Sequence, residues 1–265
     1  MLTKTKWSAI IKVNRMARVT NIRTEKNNDY LGTDSIAKLL LKLSLPAILA
    51  QIINLLYNLV DRVYIGHMPE DGALALTGVG ICMPIIMIVS AFAALISNGG
   101  APQASMAMGE GNNDNAEKIL GNSFVIQIII SAILTVILLL FHKPMLMVFG
   151  ASENTISYAS SYMTIYAMGT IFVQLTLGMN AFITAQGFAK TGMLSVLIGA
   201  VCNIILDPIF IYGFHMGVKG AATATIISQA VSTGWVLAFL TGKKTILHIK
   251  KEYFRLDAQI VLPEL

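Results

Sequence analysis

Residues 193–213 read MLSVLIGAVCNIILDPIFIYG, an apolar run that is interrupted by Asn203, Asp207 and Pro208. A helix needs about 20 mostly apolar residues to cross the hydrocarbon core of a bilayer. An ionised carboxylate is costly there, so an acid inside a membrane helix usually faces the bundle interior or a wet cavity and handles ions or protons. The stretch therefore predicts a membrane helix and makes Asp207 a candidate functional residue.

The same apolar pattern recurs along the chain. Its 265 residues are 55% hydrophobic and 12% charged, with a mean hydropathy of +0.69, whereas soluble domains carry about 25% charged residues. We predict an all-α integral membrane protein with an N-terminal tail at 1–35, a six-helix unit at 36–242 and a basic tail at 243–265. The candidate spans lie near 39–65, 76–98, 122–141, 158–182, 193–213 and 220–241.

The basic residues predict the orientation of these spans. Of the 19 Lys and Arg, nine lie between Lys4 and Lys42, where the first span opens, five follow the last span, and Lys118 and Lys190 fall in loops on the same side. The positive-inside rule then puts both termini in the cytoplasm of a multi-pass plasma-membrane protein. We attribute the net charge of +5 to the excess of Lys and Arg on the cytoplasmic side and to their contact with anionic lipid headgroups of the bilayer. No nucleic-acid partner is predicted, because the basic residues flank the spans without a binding motif.

Polar side chains share one helix face in three of the spans. They are, span by span, Gln51, Asn54, Asn58 and Asp61; Asn203 and Asp207; and Thr225, Gln229 and Ser232. At 1.5 Å per residue, Asp61, Asp207 and Thr225 fall in the outer half of the membrane. Two carboxylates, an amide and a hydroxyl at similar depth suit a hard cation, and the two acids could instead share protons.

Plainer interpretations stay open for some of these residues. Asn54, Asn58 and Gln229 can simply hold helices together through interhelical hydrogen bonds. Asp61 could form a solvated ion pair with Arg62 at the membrane surface.

An intramembrane aspartyl protease would also place two acids in separate helices. Those enzymes resemble one another in a Tyr-Asp and a Gly-x-Gly-Asp motif, whereas this chain has Val60-Asp61 and Leu206-Asp207. We therefore expect no enzymatic activity.

Six motifs in a fixed order carry a resemblance to a known family. They are Leu43-Ser-Leu-Pro46, Tyr57-Asn-Leu-Val-Asp61-Arg-Val-Tyr-Ile-Gly66, Ser105-x-x-x-Gly109 leading to Ala116, Ala185-Gln-Gly-Phe-Ala-Lys190, Asn203-Ile-Ile-Leu-Asp207-Pro208, and Gly220-Ala-Ala-Thr-Ala-Thr225-Ile-Ile-Ser228. In order and spacing they resemble the multidrug and toxin extrusion (MATE) family, within a broader flippase superfamily. The resemblance covers roughly residues 29–245.

The resemblance implies an antiporter that exports organic, often cationic compounds, driven by entry of Na⁺ or H⁺ and without a cofactor. By position, the residues that match the family's cation-coupling cluster, where Na⁺ could bind, are Asp61, Asn203, Asp207 and Thr225. Pro46 matches the proline at which the family's first helix bends. The residues that we expect to line a cavity are Gln51, Asn54, Asn58, Asn180 and Gln229.

The number of spans departs from the family, whose fold has twelve spans in two six-helix lobes with the substrate between them. We therefore expect this chain to be an N-terminal lobe, a fragment or truncated product, that lacks its second lobe or pairs with a second copy. Two alternatives remain: a lipid-linked oligosaccharide flippase, whose cleft would need basic residues for a pyrophosphate, and a remnant that does not transport.

Overall fold

The computed structural model describes residues 35–69 and 71–257, and within them it is all-helical, without a strand. Seven α-helices follow one another: α1 (Ile36–Gly66), α2 (Gly72–Gly109), α3 (Asn113–Val148), α4 (Ile156–Met168), α5 (Thr170–Ala185), α6 (Ala189–Pro208) and α7 (Val218–Leu240). A π-helical turn, Ile209–Gly213, continues α6, and a 3₁₀ turn, Lys251–Tyr253, follows α7. Most of the predicted N-terminal tail and the end of the predicted basic tail lie outside the described residues.

The chain divides into two compact units, 1–45 and 46–265. The described part of the first unit is 35–45, where the Ser44 hydroxyl donates a hydrogen bond to the Leu40 carbonyl one turn earlier in α1. The second unit holds the rest of α1 and every other helix. All features described below lie in the second unit.

The helices confirm a multi-pass membrane fold. Five of them are long and apolar enough to cross a membrane, namely α1, α2, α3, α6 with its π-helical turn, and α7. The bent pair of α4 and α5 adds a sixth if it is counted as one span. The 38 residues of α2 and the 36 of α3 exceed the predicted spans 76–98 and 122–141. At 1.5 Å per residue each is roughly 55 Å long, so both extend well beyond a hydrocarbon core of about 30 Å.

The predicted span at 158–182 is two helices rather than one, since α4 and α5 meet at an angle of 59° at Gly169. A Cβ atom on Gly169 would lie 2.3 Å from a methyl carbon of Ile226 on α7. The absence of a side chain at Gly169 lets Ile226 pack into the bend. This close contact depends on the tertiary structure and is not visible in the hydropathy pattern.

The apolar core has one layer at each end of the bundle. We call one end the loop end; it carries the α1–α2, α3–α4 and α6–α7 connections. We call the other end the tail end; it carries the α2–α3 and α5–α6 connections and the segment after α7. The layer at the loop end includes Ile65, Ile85 and Met163, all fully buried. The layer at the tail end includes Phe182 and Leu240, also fully buried.

Two glutamines in the apolar spans bridge helices. Gln127 on α3 and Gln174 on α5 are completely buried, and their side-chain amides donate to the carbonyls of Ala93 (3.1 Å) and Val89 (2.8 Å) on α2. Interhelical hydrogen bonds of this kind stabilise contacts between membrane helices. The sequence analysis did not identify either glutamine.

The segment after α7 folds back onto the tail end. Oε1 of buried Gln186 accepts three hydrogen bonds from residues 245–247, at 2.8–2.9 Å. Buried Glu117 on α3 accepts a bond from the His248 backbone (3.1 Å) and pairs with the Lys250 ammonium, which raises the pKa of Lys250. The predicted basic tail is therefore anchored to the bundle as far as residue 257.

Candidate cation site

Asp207 lies at the end of α6 and is completely buried. Nδ2 of Asn203, one turn earlier, donates to Oδ1 of Asp207 over 3.1 Å. Oδ2 of Asp207 and Oδ1 of Asn203 have no hydrogen-bond partner among the described residues. Pro208 lacks an N–H group and ends the regular α-helix here, and the backbone continues as the π-helical turn.

Asp61 comes from α1 and faces the bundle. Its side chain is only 8% exposed, whereas Leu55 and Leu59 on another face of α1 are 71% and 59% exposed. The Asp61 carboxyl group interacts directly with that of Asp207, and its Oδ1 has no hydrogen-bond partner in the described ranges. Because Asp61 is buried while Arg62 is exposed, the two do not form the solvated surface pair considered above.

Thr225 on α7 completes the cluster. Its hydroxyl donates to the carbonyl of Ala221 on its own helix (3.0 Å). The Tyr162 phenol of α4 interacts with the Thr225 side chain and lies near Asp61, and Tyr57 of α1 lies near both acids. The structure thus places Asp61 beside Asp207 and Asn203, and Tyr162 links Thr225 to Asp61.

The two tyrosines were not among the site residues predicted from the sequence. The signal that was available is the spacing of Tyr158, Tyr162 and Tyr166, which puts three phenols on one face of α4. The rings of Tyr162 and Tyr166 stack with their centroids 6.4 Å apart. A buried phenol usually finds a hydrogen-bond partner for its hydroxyl, so this face indicates polar surroundings.

Small residues bring α6 and α7 close enough to assemble the site. A Cβ atom on Gly199 would lie 2.4 Å from Oγ of Ser232, whose hydroxyl donates to the Ser195 carbonyl over 3.0 Å. A Cβ atom on Gly220 would lie 2.7 Å from the backbone carbonyl of Phe210. Glycine at such positions lets membrane helices approach closely, which sets Thr225 beside the end of α6.

A cavity of about 250 Å³ lies between α1, α5, α6 and α7 on the tail-end side of the cluster. Its polar lining residues are Gln51, Asn54, Tyr57, Thr176, Asn180, Thr184, Asn203, Thr225, Ser228, Gln229 and Ser232. Pro46 also lines it, within a helix that continues through the proline. Among the described residues, none that lines the cavity is charged, and neither Asp61 nor Asp207 belongs to the lining.

Four of the five residues predicted to line a cavity do line this one. The exception is Asn58, whose Nδ2 donates to the Asn54 carbonyl on the same helix over 2.7 Å. Asn180 also holds two helices together, since its Nδ2 donates a hydrogen bond to the Gly192 carbonyl on α6 over 3.3 Å. Buried oxygen atoms of Asn180, Asn203, Ser228 and Gln229 are left without partners, so the cavity offers acceptors to a bound molecule.

The chemistry of the cluster suits a cation or protons. Buried charges in proteins are paired or coordinated, and the two carboxylates have amide, hydroxyl and phenol groups around them. Oxygen ligands of this kind suit hard cations such as Na⁺. Within the described residues, no three His, Cys, Asp or Glu side chains come together as a metal-binding group.

Comparisons with known proteins identify relatives. The chain is 28% identical over 218 residues to the multidrug export protein MepA of Staphylococcus haemolyticus, covering 82% of this chain and 48% of that protein. It is 26% identical over 211 residues to a FAD transporter of Shewanella oneidensis, covering 78% and 46%. The chain spans about half the length of the curated relatives that it matches.

A solved structure shows the same fold. It is an outward-facing multidrug resistance MATE family transporter of the MOP superfamily, with a TM-score of 0.79 and 26% identity over 86% of this chain and 50% of that one. The relatives are transporters and not enzymes. The sequence model of the MatE family matches residues 46–209, more than half of the chain, and the chain therefore belongs to the MATE family.

Proposed function

We propose that this chain forms one lobe of a cation-coupled antiporter that exports organic, often cationic compounds across the plasma membrane. Entry of Na⁺ or H⁺ at Asp61, Asn203, Asp207 and Thr225 drives the export. Both termini face the cytoplasm, so the loop end faces outward. Pro46 is the position at which α1 bends as the site changes between occupied and free states.

The direct contact between Asp61 and Asp207 carries this proposal. Two carboxylates in contact repel each other, and within a membrane neither is solvated by bulk water. Among the described residues no Lys or Arg forms a salt bridge with either acid, and the nearest basic charge, that of Arg62 beside Asp61, is exposed. A cation or a proton is therefore required to balance the pair, and binding it changes the charge of the site.

The lining of the 250 Å³ cavity favours neutral or cationic compounds over anions. A flippase for a lipid-linked oligosaccharide, or a carrier of FAD, handles a pyrophosphate and would be expected to offer Arg or Lys to it. In the part of the chain that the structure describes, the lining residues include amides and hydroxyls but no basic side chain. We therefore rank drug export above both of these activities.

The wall that faces this cavity across the transport pathway comes from a second lobe or from a second copy of the chain. Secondary transporters commonly bind substrate between two repeats that move against each other. If a second copy supplies the wall, the purified chain is a dimer that exports ethidium from liposomes. If a second lobe supplies it, the chain alone is a monomer without export activity.

Cation binding tests the proposal without depending on the second lobe. The purified chain in detergent should retain ²²Na⁺ in a scintillation proximity assay, or release protons when ethidium is added at neutral pH. Asp207→Asn should abolish whichever signal is found. Glu153→Gln, at an exposed acid of the loop end, is the matched control and should leave it unchanged. Failure of the unaltered chain to give either signal would contradict the proposal.

A further inference from the structure

A second cavity opens at the loop end. It has a volume of about 950 Å³ and lies between the α1–α2 connection, the start of α4 and the residues that join α6 to α7. Its titratable and hydroxyl-bearing lining residues are Asp71, Ser157, Tyr158, Ser161, Tyr212, His215 and Lys219. The proposed function does not use this cavity.

The bottom of this cavity lies close to the acid pair. Ile211 lines it, is only 3% exposed, and follows Asp207 by four residues, which corresponds to roughly 6 Å along a helix. Tyr212 also lines it, and its hydroxyl donates to the carbonyl of Tyr64, three residues beyond Asp61. About one helical turn therefore separates the cavity from the two acids.

Phenol groups on α4 continue from the cavity to the acid pair. Tyr158 lines the cavity and interacts with the Asp71 carboxylate. One turn further along the same helix face, Tyr162 interacts with Thr225 and lies near Asp61. Polar groups thus link Asp71, the acid among the described lining residues, to the cation site.

The acid pair lies between two cavities. On the tail-end side the 250 Å³ cavity reaches Asn203 and Thr225, and on the loop-end side the 950 Å³ cavity ends at Ile211. The barrier towards the loop end is formed by the π-helical turn 209–213, and single π-helical turns occur frequently at functional sites. A site that binds an ion from one side and releases it to the other needs access from both.

We propose that the loop-end cavity is the entrance through which the coupling cation reaches Asp61 and Asp207, with Asp71 as the acid that attracts it and the π-helical turn as the movable barrier. This inference rests on the proposed cation coupling. Asp71 and Lys219 are both exposed at the mouth of the cavity, and of the two it is Asp71 that interacts with Tyr158, on the α4 face that leads to Asp61.

Cysteine labelling from each side of the membrane tests the entrance. The natural cysteines Cys82 and Cys202 are free thiols and are replaced by Ala, and Asp207→Cys is introduced in that background. A membrane-impermeant cationic methanethiosulfonate, bearing a trimethylammonium group, is added to spheroplasts or to inverted vesicles. We expect reaction from the loop end, and we expect Ser161→Trp or Met68→Trp, either of which fills the cavity, to slow it strongly.

The charge of Asp71 gives the second readout. Asp71→Asn should slow the cationic reagent about threefold, the effect of one unit charge several ångströms away in water. It should speed the anionic sulfonate analogue by a similar factor, while Glu153→Gln changes neither rate. Reaction from the tail end alone, or rates that neither the bulky substitutions nor Asp71→Asn alter, would overturn the entrance.

The two proposals fail separately. If Asp207→Asn retains cation binding, the proposed coupling fails regardless of the labelling. If Asp207→Asn abolishes cation binding but labelling occurs from the tail end alone, only the entrance fails. Thermal melting in detergent identifies variants that do not fold. If Ser161→Trp or Met68→Trp does not fold, the other variant, on a different wall of the cavity, takes its place.

Discussion

The two acids of the cation site are held very differently. Asp207 lies on α6, where Asn203 donates a hydrogen bond to it. Gly199 on α6 and Gly220 on α7 allow close contact between the two helices. Asp61 lies on α1, whose apolar side chains are largely exposed, and no hydrogen bond comparable to that from Asn203 is described for its carboxyl group, although each acid keeps one oxygen without a partner among the described residues. From this difference we expect α6 and α7 to form the fixed half of the site and α1 to form the mobile half.

Removing the charge of the fixed half should have the largest effect. In Asp207→Asn the site loses the carboxylate that Asn203 positions, and the new amide presents two N–H donors to an incoming cation. We expect cation affinity to fall by at least about a hundredfold, or about 2.7 kcal/mol. The measurement is ²²Na⁺ retention or ethidium-induced proton release; affinity within a factor of three of the unaltered chain would remove Asp207 from the site.

Separating the two helices of the fixed half should be the next most damaging change. Gly220→Ala puts a Cβ atom 2.7 Å from the Phe210 backbone, which cannot move aside as a flexible side chain can. We expect a loss of about 1–3 kcal/mol in the free energy of unfolding, read as a lower melting temperature in detergent.

Gly234→Ala on the same helix is the matched control, because a Cβ atom there meets nothing within 4 Å. Its expected effect is a slight stabilisation, since alanine favours helix over glycine by about 0.5–1 kcal/mol. Equal melting temperatures for the two variants would contradict the close contact between α6 and α7.

Removing the charge of the mobile half should weaken binding less. Asp61→Asn leaves Asp207, Asn203 and Thr225 in place, and the new side chain still offers a carbonyl oxygen. We expect a loss of about tenfold in cation affinity, or about 1.4 kcal/mol. An effect as large as that of Asp207→Asn, in the same binding assay, would show that the two halves contribute equally.

The smallest effect on binding should come from Pro46→Ala. Alanine restores the backbone N–H that proline lacks and removes the clash of its ring with the preceding turn, so α1 becomes stiffer without any change in the acid pair. We expect cation affinity to change by less than about threefold, whereas transport by the assembled transporter falls. Retained transport would show that bending at Pro46 is unnecessary.

Much of the candidate site could be predicted from the sequence because its signals are local. The apolar runs predicted membrane helices, and the position of Asp207 among aliphatic neighbours predicted a functional acid. The i, i+4 spacing of Asn203 and Asp207 predicted their shared face, and the structure shows the hydrogen bond between them. The stripe on α1 predicted the face of Asp61, although Asn58 bonds to its own helix instead of lining the cavity.

Chain composition and helical periodicity alone determined that this protein spans a membrane several times and which side chains share a helix face. Both follow from the hydration cost of exposed groups and from the geometry of a single helix. Only the tertiary structure decided the bend at Gly169, the contacts of Tyr162 and Gln186, and the two cavities on either side of the acids. These features depend on contacts between residues far apart in the chain, and no local pattern in the sequence specifies which distant side chain fills the space beside a glycine.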